Sequence, residues 1–223
     1  MHEELHALAA LLDRDATTTV GARHFHRGRL HGHEVLLVLS GIGKVAASIT
    51  ATLVCQHFGA RSIVFTGVAG GLADGVAIGD VAIGRELLQH DLDASPIFPR
   101  FEVPLTGRSR FAADAALADS VAAAARRQVA ARVHEGLIVS GDRFVSTAAE
   151  GAALRTLLPD ALAVEMEGAA VAQACHAFGV PFVVLRTISD RADDDAAIDF
   201  ASFVAEVASV ATRDIVSDWL AHC

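Results

Sequence analysis

Residues 161–193 read ALAVEMEGAAVAQACHAFGVPFVVLRTISDRAD, and this stretch indicates the fold class most clearly. A short apolar run ends at two glutamates, a helical segment follows, and the run PFVVLRTI has the β-branched content and the length of a buried strand. Arg186 and Asp190 close that strand, while Glu167 leads the helix before it. Open α/β sheets bind ligands where their strands end. We therefore expect these three polar side chains to lie at one sheet edge.

The same alternation of helix and strand runs along the whole chain. We predict helices at 3–12, 44–58, 112–133, 148–157, 167–178 and 200–219. We predict strands at 22–30, 34–39, 61–66, 80–84, 136–140, 162–165 and 181–188, with a tight turn at His31-Gly32 and an irregular segment at 89–110. This order favours an α/β class, a three-layer α/β/α sandwich with a central mixed, largely twisted sheet. No linker composition or fixed repeat occurs, so a single domain over residues 1–223 is predicted.

Composition excludes several functions. The formal net charge of −9 leaves no basic stripe to displace counterions from phosphates, so no nucleic acid partner is expected. Cys55, Cys175 and Cys223 show no CxxC spacing, which predicts reduced thiols in the cytoplasm. Neither a signal peptide nor a membrane span is predicted, because no basic start and no run of roughly 18 apolar residues occurs. The histidines at 24–33 lack further ligands, so no metal is expected.

Two glycine-rich stretches follow predicted strands. SGIGKVAAS at 40–48 offers free backbone N–H groups at a helix start, which favour an anion or a polar ligand. A dinucleotide site is disfavoured, because no carboxylate follows about twenty residues later. TGVAGGLADG at 66–75 is predicted to form a binding loop, in which the glycines would let a ligand approach the backbone closely. Either stretch could instead only form a turn.

Three further positions suggest recognition of a nucleoside. Phe144 in SGDRFVST offers an aromatic face beside extended backbone, and a purine needs both, although most phenylalanines are simply buried. Glu165 and Glu167 need polar partners if they are buried; sugar hydroxyls suit one of them, and a helix cap or an ion pair with Arg186 is the alternative. Asp190 follows an apolar strand, where desolvation would raise its pKa and allow it to donate a proton.

Taken in order, SGIGKVAA, TGVAGGL, GLIVSGDRF, AVEMEGAAVA, VPFVVLRTISD and the later Phe200 resemble the methylthioadenosine/S-adenosylhomocysteine nucleosidases of the nucleoside phosphorylase superfamily. The match covers nearly the whole chain. The resemblance implies hydrolysis of the N-glycosidic bond of adenine thionucleosides, 5′-methylthioadenosine and S-adenosylhomocysteine, to adenine and the thioribose. It also implies a nucleoside phosphorylase-like sandwich, a small-molecule purine nucleoside substrate, no cofactor, no membrane partner and a homodimer.

The resemblance further implies a role for each site residue. Glu4 would activate the water, and Asp190, oriented by Ser189, would protonate or hydrogen-bond N7 of the leaving base. Glu167 would hold the ribose hydroxyls. Arg186 would position the water and the Glu4 carboxylate. Phe144 and Val145 would bind the base, and Met166 would pack against the sugar. Gly70 would contact the ligand, and Ile42 and Phe200 would lie near its alkylthio end.

Departures from the family pattern keep two other functions open. Relatives usually carry a short strand before the glutamate-bearing helix; without it we expect a frayed first turn that places Glu4 poorly. Val68 stands where many relatives have a serine, and phosphorylases tend to use a hydroxyl there, so a phosphate-dependent purine nucleoside phosphorylase is the less favoured alternative. A non-catalytic nucleoside-binding protein is the other. The segment DLDASPIFPRFEVPLTG at 91–107, which lines the alkylthio pocket partly across the dimer interface in the family, also differs from better-known members.

Overall fold

The computed structural model describes residues 2–197 and 209–223. Helices and strands alternate along these residues. The helices are α1 (His2–Ala9), α2 (Lys44–Thr52), α3 (Ala115–Gln128), α4 (Ala148–Leu157), α5 (Gly168–Phe178) and α6 (Ser209–Ala221), with a π-helical turn, Leu53–His57, extending α2. The strands are β1 (Asp13–Val20), β2 (Arg23–Leu30), β3 (His33–Val38), β4 (Ile63–Gly71), β5 (Val81–Gln89), β6 (Arg110–Ala112), β7 (Val133–Ser140), β8 (Ala161–Glu165) and β9 (Phe182–Asp190).

These strands form two sheets. β1, β2 and β3 make a small antiparallel sheet, and the others follow the order β6-β5-β7-β8-β4-β9. The pairs β4–β9, β5–β7 and β7–β8 are parallel, whereas β4–β8 and β5–β9 are antiparallel. Because β5 also pairs with β9, the larger sheet curves until these two strands meet. The predicted α/β class with a central mixed sheet is confirmed.

Strand β9 is buried along its whole length. Val183, Val184, Leu185 and Ile188 have no exposed surface, as expected of a strand that is covered on both faces. Burying each such side chain contributes roughly 1.5–3 kcal/mol. The strand predicted at 181–188 is confirmed and ends two residues later, at Asp190, so the apolar run positions the polar residues at its exit.

Helices α2 and α5 pack against each other through small side chains. Ala47 and Ala51 of α2 belong to the same buried cluster as Ala169, Ala172 and Cys175 of α5. Short side chains at such positions allow two helix axes to approach closely. The start of each helix is therefore held near the start of the other, and the glycine-rich turn before α2 comes to lie beside the glutamates before α5.

Strand β1 is missing from the sequence-based prediction, which instead continues the first helix to residue 12. Seven of the eight residues of β1 are exposed. An edge strand with neither face buried has no alternation of apolar and polar residues, so periodicity cannot detect it. The turn at His31-Gly32 is confirmed, and both residues have the positive φ, 49° and 84°, of a hairpin turn.

The prediction of a frayed first turn is wrong. Helix α1 begins at His2, and the side chain of Glu4 lies buried within its first turn. The helix packs through Leu8 against Val216 and Leu220 of α6 in one apolar cluster. This contact with a helix from the far end of the chain tethers α1, which local sequence alone could not show.

Other boundaries differ for local reasons. The helix predicted at 112–133 is shorter because β6 ends at Ala112 and β7 begins at Val133. Asp114 caps this helix by accepting a hydrogen bond from the Leu117 N–H at 2.8 Å. The last predicted helix is described from Ser209 onward, and its predicted start at residues 200–208 lies outside the described residues. Among the residues described, no helix has the length and hydropathy that crossing a membrane requires.

Strand β4 continues to Gly71, through part of the stretch that was predicted to be a loop. Its glycines allow close packing against β9. A Cβ added at Gly67 would lie 2.7 Å from Arg186 Nη1, and one added at Gly70 would lie 2.7 Å from Asp190 Oδ1. The glycines are needed inside the strand for this close approach and not for a turn.

Candidate active site

The ends of four strands bring the predicted polar residues together. Ser140 at the end of β7 pairs in register with Glu165 at the end of β8. Gly70 of β4 pairs with both Val164 of β8 and Asp190 of β9. The acidic residues that follow β8 and those that close β9 therefore share one sheet edge, as the sequence predicts.

Glu165 and Arg186 form a fully buried ion pair at this edge. Arg186 Nη2 donates to Glu165 Oε2 at 2.6 Å, and the two side chains are 1% and 2% exposed. The guanidinium carbon also lies 4.3 Å from the centre of the Phe65 ring. An ion pair with Arg186 was one alternative for the two glutamates, and Glu165 is the residue that makes it.

Glu165 also caps the start of α5. Its carboxylate accepts hydrogen bonds from the backbone N–H of Glu167 at 3.1 Å and from that of Gly168 at 2.8 and 2.9 Å. The Ser140 hydroxyl donates to the same carboxylate and accepts from the Ala169 N–H at 2.7 Å. Together with Arg186, four donor groups thus make five hydrogen bonds to Glu165, which has a structural role that binds β7, β8, β9 and α5 together.

Glu167 occupies a different environment. Its side chain is half-buried, and Oε1 accepts a hydrogen bond from the backbone N–H of Gly43 at 2.8 Å. Burial raises the pKa of Glu167, and the nearby negative charge of Glu165 raises it further, against the opposing charge of Arg186. The glycine-rich turn before α2 therefore meets the predicted ribose-binding carboxyl directly.

Asp190 is buried and held by short contacts. Ser189 Oγ donates to Asp190 Oδ2 at 2.8 Å, and the Ala192 N–H donates to Asp190 Oδ1 at 2.9 Å. The Ser189 hydroxyl oxygen also lies 3.4 Å from the Ala69 carbonyl oxygen. The structure therefore contains the contact through which Ser189 was predicted to orient Asp190, and Gly70 faces the same carboxyl group.

Glu4 lies in a neighbouring cavity. The Thr212 hydroxyl of α6 donates to Glu4 Oε1 at 3.0 Å, and the Glu4 side chain is 3% exposed. The cavity has a volume of about 360 Å³ and runs between β3 and β4, with Glu4, Ser40 and Thr66 among the residues lining it. Ser40 stands three residues before Gly43, so this cavity adjoins the turn that contacts Glu167. Neither Glu167 nor Asp190 is among its described lining residues.

The remaining predicted contacts are placed as follows. Phe144 is 40% exposed, so the alternative of a core phenylalanine is wrong, and Val145 beside it is buried. Met166 is half-buried between the two glutamates, and Ile42 is 80% exposed at the turn before α2. Phe200 lies outside the described residues. Across residues 2–197 and 209–223, no group of three acidic, histidine or cysteine side chains is placed to hold a metal ion.

Comparison with known proteins identifies the family of the chain. A sequence model described as the phosphorylase superfamily matches residues 1–221. A 5′-methylthioadenosine/S-adenosylhomocysteine nucleosidase from Shewanella frigidimarina is 39% identical over 202 residues, which cover 91% of this chain and 87% of the relative. The chain belongs to this nucleosidase family.

Solved nucleosidase structures share the fold. The structure of the Neisseria meningitidis 5′-methylthioadenosine/S-adenosylhomocysteine nucleosidase in complex with methylthio-immucillin-A has a TM-score of 0.95 and 38% identity, covering 100% of this chain and 96% of that one. A futalosine hydrolase from Helicobacter pylori has a TM-score of 0.90 and 34% identity, covering 98% and 93%. The nucleosidase family resemblance drawn from the sequence motifs is therefore confirmed.

Some polar residues that lie beside the predicted site residues were not predicted. Ser140 is one, because its hydroxyl contacts Glu165 across 25 residues. Lys44, Asp91 and Asp142 are others, and they contact one another across 47 to 98 residues. None lies in a local pattern typical of catalysis, and a single sequence carries no signal for contacts at such separations.

Proposed function

We propose that this chain hydrolyses the N-glycosidic bond of 5′-methylthioadenosine and S-adenosylhomocysteine, releasing adenine and the thioribose. The names of its relatives support this reaction. The observation that carries the assignment to this site is the placing of a buried, Ser189-bonded Asp190 at the same strand edge as Glu167. One group can serve the departing base while the other serves the sugar.

Asp190 acts as the acid in this proposal. As the bond between C1′ and N9 breaks, its electron pair moves into the purine, and a proton or hydrogen bond from Asp190 at N7 stabilises the negative charge that develops there. Gly70 has no side chain, so the Asp190 carboxyl can lie directly against the backbone of β4. Ser189 fixes the carboxyl orientation through its 2.8 Å hydrogen bond.

Glu4 and Glu167 act on the sugar side. The departing base leaves an oxocarbenium-like ribosyl centre, which nearby carboxylates stabilise. Water adds to C1′ and gives its proton to Glu4, while Glu167 accepts hydrogen bonds from the ribose hydroxyls. Glu167 suits this task better than Glu165, because four donor groups of the protein already make five hydrogen bonds to the Glu165 carboxylate.

Phe144 and Val145 bind the base, and Met166 packs against the sugar. Phe144 is 40% exposed, and we assign its ring to stacking on the base, while the buried position of Val145 fixes the backbone that reads the purine edge. We assign Ile42 and Phe200 to the alkylthio end. We assign Arg186 to positioning the water and the Glu4 carboxylate, and its ion pair with Glu165 holds the guanidinium in place.

Hydrolysis and phosphorolysis are separated by one assay. Phosphate would need cationic and hydroxyl groups on the attacking face, but Val68 offers no hydroxyl and a Glu4 carboxylate would repel a dianion. We expect adenine release from methylthioadenosine at the same rate with and without phosphate. Strict phosphate dependence would refute hydrolysis, and binding without any turnover would favour a nucleoside-binding protein. A panel that adds S-adenosylhomocysteine, 5′-deoxyadenosine, adenosine and futalosine then ranks the substrates.

A second copy of this chain is the proposed partner. Ile42, Val45 and Ile49 are 80%, 70% and 45% exposed on α2 and the turn before it, at a spacing that places them on one side. Ile97 and Leu105 of the irregular segment are 82% and 91% exposed. Such apolar surface is typical of an interface. We expect a dimer by light scattering, and we expect Val45→Glu with Ile97→Glu to yield monomer, whereas Ile78→Glu, at another exposed apolar position, leaves the dimer intact.

We propose the cytoplasm as the location. The structure places Cys55 and Cys175 as free buried thiols and Cys223 as a free exposed one. Unpaired cysteines are typical of reducing compartments. Cell fractionation with an antibody against the chain tests this, and recovery in an extracytoplasmic fraction would contradict it.

A further inference from the structure

Lys44, Asp91 and Asp142 form a closed set of contacts outside the groups assigned to the reaction. Lys44 Nζ donates to Asp91 Oδ1 at 2.5 Å, and the Asp142 N–H donates to Asp91 Oδ2 at 2.8 Å. The Lys44 N–H in turn donates to Asp142 Oδ1 at 2.7 Å. Each residue is bonded to the other two, although they come from three separate segments of the chain.

This set of contacts joins the two sides of the proposed substrate site. Gly43, directly before Lys44, donates its N–H to Glu167 on the proposed ribose side. Asp142 stands two residues before Phe144 on the proposed base side. The first N–H groups of α2 are thus capped by two carboxylates from distant segments, and the turn at residues 43–44 fixes the distance between the Phe144 loop and Glu167.

Charge explains why the set needs all three members. Asp91 and Asp142 would repel each other, but Lys44 Nζ lies 2.5 Å from one carboxylate and 3.8 Å from the other. Burial raises the pKa of Asp91, but the hydrogen bonds from Lys44 and from the Asp142 N–H outweigh it, so the pKa of Asp91 lies below its ordinary value. The Lys44 side chain is only 16% exposed, so solvent screens this attraction less than at an open surface.

We propose that Asp91 is a positioning residue, which holds the loop of Asp142 and Phe144 against the start of α2 and so preorganises the base site opposite Glu167. The inference rests on the proposed function of Phe144 and Glu167. The same proposal assigns a role to the irregular segment at 89–110, because Asp91 lies near the start of that segment. Because the contacts exist before substrate binds, loosening them lowers the fraction of protein that is competent to bind. Substrate affinity falls, while the chemical step in the assembled complex is retained.

Asp91→Asn tests this directly. The amide carries no charge, and its NH₂ group would face one of the two donors that the carboxylate now accepts from. We expect the KM for methylthioadenosine to rise about tenfold while kcat stays within about twofold. Asp93→Asn is the matched control, because Asp93 lies on the same segment and its described partners are Ser95 and Arg100. We expect it to keep the wild-type KM.

Lys44→Met provides a second test that does not depend on the folding of the Asp91 variant. The methionine keeps an apolar stem of similar length and removes the ammonium. We expect the same split, a raised KM with kcat retained, and we expect the double variant to raise the KM no more than either single variant, because both act on one set of contacts.

The outcomes are distinguishable. A wild-type KM in both single variants overturns the inference, as does a fall in kcat with the KM unchanged, which is the result expected if Asp91 only supports the fold. If Asp91→Asn does not fold, the presence or absence of the KM rise in Lys44→Met decides. Wild-type protein that neither binds methylthioadenosine in calorimetry nor releases adenine overturns the proposed function, and this inference with it.

Discussion

Glu165 and Arg186 face each other across β8 and β9 at 2.6 Å, with 2% and 1% of their side chains exposed. Charges this deeply buried lose their hydration, so each depends on the other. Glu165→Gln should lower the free energy of unfolding by about 3–5 kcal/mol, because it leaves the Arg186 cation without a counter-charge. Urea denaturation measures this, and Arg143→Gln, which breaks a pair whose arginine is 77% exposed, should cost only about 0–1 kcal/mol. Equal effects of the two variants would contradict the structural role of Glu165.

Asp190→Asn should remove the acid without disturbing the fold. The amide oxygen can accept from the Ala192 N–H and the amide NH₂ can donate to the Ser189 hydroxyl, but the amide cannot protonate N7, so we expect kcat to fall by about 10²–10⁴-fold with thermal stability preserved. Asp195→Asn, at an exposed carboxyl five residues later, should keep wild-type turnover. Near-normal turnover in Asp190→Asn would remove that residue from its role.

Gly70→Ala tests whether the Asp190 carboxyl must be approached closely. The added methyl would lie 2.7 Å from Asp190 Oδ1 and 3.1 Å from the Ala192 Cβ, so the carboxyl has to move. We expect kcat per folded molecule to fall, in addition to any decrease in the free energy of unfolding. Gly71→Ala meets Val76 and Ile188 at 3.1 and 3.3 Å, so it should lower stability and spare turnover per folded molecule. The reverse order of effects would contradict the role of Gly70.

Glu167 should make activity depend on pH. Its pKa is raised, mainly by burial, so the carboxylate is protonated at a higher pH than an ordinary glutamate and loses its capacity to accept from two hydroxyls. We expect kcat/KM for methylthioadenosine to decline as pH falls through a value above 4.5. In Glu167→Gln, kcat/KM should be low throughout, and this acid limb should disappear. An unchanged acid limb would assign the titration to another group.

The same shift predicts a pH-dependent change in stability. A folded pKa above the unfolded value means that the folded protein binds the proton more tightly, so this residue destabilises the protein when ionised. Its contribution to the free energy of unfolding should rise as pH falls through the folded pKa toward the unfolded one. Wild type minus Glu167→Gln, measured by urea denaturation over that window, isolates the effect. A flat difference would show that the environment of Glu167 does not shift its pKa.

Strand β9 is an element that the local sequence pattern predicts correctly. A run of β-branched and apolar residues predicts a buried strand wherever it occurs, because a strand covered on both faces needs such side chains at every position. Strand β1 shows the limit, since its exposed residues carry no alternation to read. The glycine-rich stretch in β4 was predicted to form a loop. Its glycines instead allow close approach to Arg186 and Asp190, and this contact depends on the neighbouring strand β9.

Residue types and hydrophobic periodicity are local properties, so they were enough to predict the α/β class, the order of most elements, the nucleosidase motifs and the candidate carboxylates. The different role of each acidic residue follows from contacts in the folded protein. The tertiary structure paired Glu165 with Arg186, set Glu167 against Gly43 and Asp190 against Gly70, and joined Lys44 to Asp91 and Asp142. These contacts cross strands and helices that are far apart in the chain, so they exist only once the sheet has closed and its strand ends meet.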